Sequence, residues 1–113
     1  MHEVSLMENT LELALNYAQK EGAKEIHLIK LKVGALSGVI PEALAFAFDV
    51  VIQGTIAQNA CLEIETVPVI VHCEKCQLNF TPSDLIYDCP RCQQLCYEIR
   101  QGKELELVSL EIA

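Results

Sequence analysis

The chain has no run of about 18 apolar residues, so no membrane-spanning helix is expected. It has no basic segment followed by an apolar one at its start, so no export signal is expected either. Basic residues are scarce: 8 Lys and Arg face 16 Asp and Glu, a net charge of −8. Four thiolates around one divalent ion would add roughly −2 more. Such a surface repels phosphate backbones, which excludes nucleic acid as an expected partner. There are only 3 histidines, and no phosphate-binding glycine loop, dinucleotide fingerprint or zinc-protease helix motif. No nucleophile has a base at a useful spacing, so no enzyme activity is expected. There is no internal repeat and no low-complexity tract.

What is present is cysteine, 6 in 113 residues. Without an export signal, a reducing cytoplasm and thiolate–metal bonds are expected rather than disulfides. Four cysteines form two pairs, Cys73-Glu-Lys-Cys76 and Cys89-Pro-Arg-Cys92, separated by twelve residues. Two thiolates three positions apart can face one ion from a tight turn, and two such turns complete a tetrahedral shell with no place for water. The expected ligand set is Cys73, Cys76, Cys89 and Cys92 around structural Zn(II). The alternatives are free thiols or a redox pair, and iron held as in rubredoxin, since tetrahedral sulfur suits both metals. Cys61 is expected to be a half-buried packing residue and Cys96 a bystander rather than a spare ligand.

Around this loop the periodicity predicts a small α+β domain. Ser5 and Glu8 read as a capping box opening a helix that runs to about Glu21, before Gly22. Residues 1–3 would hang ahead of it. From Glu25 to Val33 the period becomes two, with His27, Ile29, Leu31 and Val33 on one face and Lys30 and Lys32 on the other. Pro41 suits the first position of a second helix, with Glu42 in its first turn. Ala43 to Ile52 is apolar almost all round and predicts a deeply packed helix ending at Gly54. Leu62, Ile64 and Thr66 alternate in a second strand, and Glu104 to Ile112 reads as the last one. The expectation is two helices on a mainly antiparallel three-stranded sheet. Residues 1–70 plus 100–113 form that domain, and residues 71–99 form a zinc-ribbon-like insertion pivoting at Pro68 and Gly102.

The N-terminus carries a second candidate site. His2 is bulky, so Met1 is expected to stay and leave its α-amine at a fixed place. That amine and the His2 amide nitrogen can close a five-membered chelate ring. The same amide and the imidazole Nδ1 can close a six-membered one. Nitrogens in a plane suit a d⁸ ion such as Ni(II), and Glu3 can add its amide or carboxylate. His72, next to Cys73, reads as a solvated strand end, and His27 as a structural residue on a strand face.

Met1-His2-Glu3, the helix opening at Ser5, the Lys32-Val33-Gly34 strand end, the spaced cysteine pairs and the terminal Leu-Val-Ser-Leu-Glu-Ile together resemble the HypA/HybF family of hydrogenase nickel-incorporation proteins. The resemblance covers essentially the whole chain. It implies a nickel metallochaperone whose cargo Ni(II) sits on Met1, His2 and Glu3, with Zn(II) on the four paired cysteines. Glu42 matches a further carboxylate sometimes placed near the nickel. It also implies a HypB-type nickel GTPase and the [NiFe]-hydrogenase large-subunit precursor as partners, in a monomer or a dimer. Certain relatives have histidine just after the cysteine pairs, where Gln77 and Gln93 stand here. The rival from another class is a zinc-ribbon interaction adaptor that handles no nickel.

Overall fold

The computed structural model describes residues 2–83 and 86–113. Met1, Asp84, Leu85 and the side chain of His2 lie outside the described residues. The order is α1 (His2–Lys20), β1 (Ile26–Gly34), α2 (Pro41–Val51), β2 (Cys61–Val67), β3 (Ile70–Cys73), β4 (Leu78–Phe80), β5 (Glu98–Gln101) and β6 (Leu105–Ile112).

Helix α1 begins at His2 rather than at Ser5. The serine and glutamate have capping-box spacing, but tertiary packing extends the helix past them. Val4 and Leu6 pack against the core that buries Met7, so the residues ahead of Ser5 are held in the helix. The buried stripe is Met7, Leu11, Ala14 and Ala18, one helical face. The end is set by Gly22 at φ 68°. Ala23 N–H donates to Ala18 O at 2.9 Å and Gly22 N–H to Gln19 O at 3.1 Å. This pair of bonds is a Schellman closure, which needs a left-handed residue at that point.

Strand β1 is central in a sheet of order β2-β1-β6. It runs parallel to β2 and antiparallel to β6, so the sheet is mixed rather than mainly antiparallel. The reason is α2: a helical crossover returns the chain to the same end of the sheet, which makes the next strand parallel. Ile29, Leu31 and Val33 are buried as expected. His27 is not. It is the extra residue of a β-bulge, because Ile26 pairs with Ile112 and Leu28 with Glu111. The bulge turns His27 out to solvent, 3.6 Å from Glu25, and Ile26 takes the inward place.

Helix α2 starts with Pro41 directly after extended Ile40, and Glu42 lies in its first turn. It buries Leu44, Ala47 and Phe48 but not the opposite side, where Phe46 is 73% exposed. An apolar composition all round therefore does not mean burial all round; α1 and one sheet face cover only one side of α2. The polar sheet face carries Lys30 Nζ at 3.8 Å from Glu63 and 3.7 Å from Glu65. Cys61 lies on this edge and is exposed, not half-buried.

The second sheet has order β4-β3-β5, all antiparallel, and its own small buried cluster. The radius of gyration is 17.6 Å, against about 13 Å for one compact ball of this length. Chain crosses between the sheets at Pro68–Val69 and at Gly102. Here Gly34 has no room for a side chain: a Cβ would lie 2.1 Å from Gly102 O. Ala35 N–H donates to Val67 O at 2.9 Å, Leu36 N–H to Gly102 O at 2.6 Å and Gly34 N–H to Glu104 O at 2.7 Å. The Glu104 carboxylate accepts from Gly102 N–H at 2.7 Å. The crossover is thus a hydrogen-bonded knot and not two loose linkers. Gly34→Ala must displace backbone and is expected to cost more than about 2 kcal/mol, measured by urea unfolding.

Candidate metal centre

Each cysteine pair sits on a tight reversal made by the chain around it. Cys73 ends β3 and pairs with Leu78 at the start of β4, so the first pair occupies the connecting turn. The second pair is held by Cys89 N–H donating to Gln94 O at 3.0 Å, Gln93 N–H to Cys89 O at 2.8 Å and Cys96 N–H to Tyr87 O at 2.8 Å. In both turns the residue after the second cysteine is left-handed: Gln77 at φ 51° and Gln93 at φ 64°. Glycine takes this conformation without strain, whereas the Cβ of any other residue crowds the following carbonyl oxygen. Gln77 gains a local bond, its Nε2 donating to Glu74 O at 2.6 Å. The sequence marked these two positions only as the residues that follow each pair; their left-handed backbone was not legible there.

The turns bring the four sulfurs of Cys73, Cys76, Cys89 and Cys92 within 4.8 Å of one another. The Cys73 and Cys92 sulfurs are 3.7 Å apart. A tetrahedral ion with Zn–S bonds of about 2.3 Å needs sulfur–sulfur edges of about 3.8 Å, so the donor set fits such an ion. The electrostatics divide the thiols. The backbone N–H of Cys76 holds the Cys73 thiol below its usual range, against burial. Cys89 is lowered to about 6, chiefly by the N–H of Cys92 and, burial opposing, by that of Arg91. The Arg91 N–H lies 3.4 Å from the Cys89 sulfur. Burial and then the neighbouring sulfurs push Cys76 up to about 12. The first cysteine of each pair is therefore prepared as a thiolate by backbone amides, while Cys76 must lose a proton when metal arrives.

Cys96 is buried beside the group but is not one of the four. Its sulfur donates to Gln94 O at 3.4 Å, and burial, followed by Cys73, raises it to about 11. His72 faces Asn79 across the strand pair, its Nδ1 at 2.6 Å from Asn79 Oδ1. It is a half-buried strand residue with a partner, not a solvated end.

Of the N-terminal residues, Met1 and the His2 side chain lie outside the described residues, and Glu3 stands half-buried in the first turn of α1. The opening N–H groups of any helix have no intrahelical acceptor, so the amides of His2 and Glu3 are not committed to α1. Glu42 is exposed in the first turn of α2.

The buried cluster under the second sheet is Val71, Cys73, Cys89 and Cys96. Most of this core is sulfur, and without an ion it is too small to hold strands of 3 and 4 residues. Removing the metal with a chelator should therefore release amide protection in β3, β4 and β5 while β1 keeps its own. Because binding displaces thiol protons, Cys76 above all, affinity should fall as pH drops from neutrality toward about 5; competition with a chromophoric chelator measures it. Gln93→Gly should relieve the left-handed strain and stabilise the metal-loaded protein by roughly 0.5–1 kcal/mol, read as a shift in its urea midpoint.

Sequence comparison places this geometry among known proteins. The family described as "Hydrogenase/urease nickel incorporation, metallochaperone, hypA" matches residues 1–112. A hydrogenase maturation factor HypA from Picosynechococcus sp. is 49% identical over 112 residues, covering 99% of both chains. One from Chloroflexus aggregans is 43% identical, covering 98% of each. The solution structure of the Ni metallochaperone HypA from Helicobacter pylori superposes with a TM-score of 0.69 at 27% identity, covering 97% of this chain and 96% of that one. A second HypA solution structure gives 0.75 at 28% identity, covering 100% and 97%. The α+β architecture, the cysteine cluster and these matches agree: the chain belongs to the HypA family of hydrogenase-maturation nickel metallochaperones, which are carriers and not enzymes.

Proposed function

We propose that this protein binds Ni(II) at its N-terminus and releases it to a partner, while Zn(II) on Cys73, Cys76, Cys89 and Cys92 keeps the second sheet folded. Cargo nickel is held in a plane by the Met1 α-amine, the His2 amide and imidazole, and the Glu3 amide, with the Glu42 carboxylate as a weak, long contact from outside that plane. The observation that supports this most is the start of α1 at His2. Val4 and Leu6 fix that start to the core, so the helix start is held at one place and its first amides are free of intrahelical acceptors.

The helix end also suits the chemistry. Nickel bound by backbone nitrogen replaces amide protons, leaving anionic nitrogens. Negative charge at a helix N-terminus is favoured by the aligned peptide dipoles, and Glu3 adds to it. Planar nitrogen ligation leaves the ion open above and below, where a partner's ligand can enter. The zinc shell is the opposite case, closed by four sulfurs. In this reading residues 1–70 plus 100–113 form the nickel domain and residues 71–99 the zinc domain. The second sheet itself runs from Ile70 to Gln101. The protein works in the cytoplasm with a HypB-type nickel GTPase and hands Ni(II) to the [NiFe]-hydrogenase large-subunit precursor. None of the described helices is long and apolar enough to cross a membrane.

Two variants test the proposal. His2→Ala should fold and keep one zinc but lose nickel affinity by at least about a hundredfold. Two residues added ahead of Met1 should do the same, since they block the amine alone. Calorimetric nickel titration with zinc analysis reads both. Nickel bound with unchanged affinity by either variant rejects the site, and zinc binding alone in the parent would make the protein an adaptor. Nickel binding by the parent should weaken as pH falls, because protons then compete for the amide nitrogens.

A further inference from the structure

Strand β6 is an edge strand: β1 pairs with one side of it, and no described strand pairs with the other. Beside that free side lies a groove of about 440 Å³ between β6 and the second half of α1. Its walls are Leu13 and Tyr17 from the helix, Glu21 just past the helix end, and the run Leu107–Leu110 with Ile112 from the strand. Neighbouring residues on a strand point to opposite faces. A groove that touches four in succession therefore follows the strand's edge and not one face of the sheet. The walls are apolar and uncovered: Leu13 is 48% exposed, Tyr17 56% and Val108 43%. An unpaired backbone edge next to an apolar groove is the arrangement that accepts an added strand, with main-chain bonds along the edge and alternate side chains in the groove.

The charge pattern selects the occupant. Glu21 lines the groove, and Glu106 and Glu111 are exposed on β6, on a chain of net charge −8. A second copy would bring the same acidic strand against itself. Val108 also breaks the edge, because it is the extra residue of a bulge: Lys30 pairs with Ser109 and Leu31 with Leu107. A bulge on an edge disfavours long self-pairing, yet leaves the run from Ser109 to Ile112 regular. We propose that this groove binds an extended segment of a partner protein, apolar at alternate positions with lysine or arginine between them, paired to β6 beyond Val108. The inference is independent of the nickel site.

A probe of about eight residues, valine alternating with lysine and threonine, tests it by fluorescence anisotropy on the zinc-loaded protein. Two isomers are used, each N-methylated along one edge of the peptide. Methylation of the edge facing β6 should abolish binding, and methylation of the other edge should leave it. Leu13→Gln should weaken binding about tenfold, and Glu21→Gln should weaken it more at low salt than at high salt. Both residues are exposed, Leu13 on the helix and Glu21 in the turn after it, and unchanged zinc content and helical circular dichroism show that the variants fold. Equal binding of the two isomers, or no loss with Leu13→Gln, would reduce the effect to charge attraction and overturn the proposal. A dimer of the peptide-free protein that Val108→Lys dissociates would also overturn it, by giving the edge to a second copy.

Discussion

The backbone of Gly34 against the backbone of Gly102 is the contact on which the arrangement rests. Gly34 is the last residue of the central strand of the first sheet. Gly102 is the residue through which the chain returns from the second sheet. Their approach leaves no space for even a methyl group, and it lets Leu36 and Glu104 close the crossover with hydrogen bonds. The same segment that leaves β1 goes on to Pro41 and the start of α2. One short stretch therefore ends the central strand, clamps the crossover and starts the second helix.

On either side of that knot, order is maintained by different physics. The first sheet is covered by two helices and has an apolar core of aliphatic side chains with Met7 and Phe48. The second sheet has a core made mostly of cysteine. Hydrophobic burial can hold the first; the second needs the strong, directional bonds between thiolate and metal. The backbone amides that lower Cys73 and Cys89 belong to the same tight turns that place the sulfurs. Turn geometry and ligand chemistry are thus one feature, and the strained glutamines Gln77 and Gln93 are part of its cost.

Local pattern was enough to read much of this. The period-two runs of β1 and β2, proline at the head of α2, Gly22 at the end of α1 and the paired cysteines all act within a few residues. What the pattern missed depends on residues far apart in the chain. His27 follows strand alternation but is displaced by a bulge set by pairing with β6. Ser5 and Glu8 have capping spacing, yet Val4 packs on the core and moves the helix start to His2. Apolar composition around α2 could not say that Phe46 would face outward. Nor could it reveal that α2 makes β1 and β2 parallel, or that Gly34 is glycine because Gly102 lies against it. For the metal sites the contrast is sharper. The sulfur cluster was legible from spacing, whereas the proposed nickel ligands span three residues whose meaning came chiefly from resemblance, supported here by where α1 begins.

The account separates an open site at the chain start from a closed one in the sulfur cluster, and nuclear magnetic resonance of the nickel-loaded, zinc-loaded protein tests that separation directly. Planar nitrogen ligation makes Ni(II) diamagnetic. The expected spectrum is therefore sharp, with shifts confined to the first turn of α1 and the start of α2 and none around Cys73 or Cys92. Paramagnetic broadening, or shifts centred on the cysteine turns, would put the nickel elsewhere and contradict it.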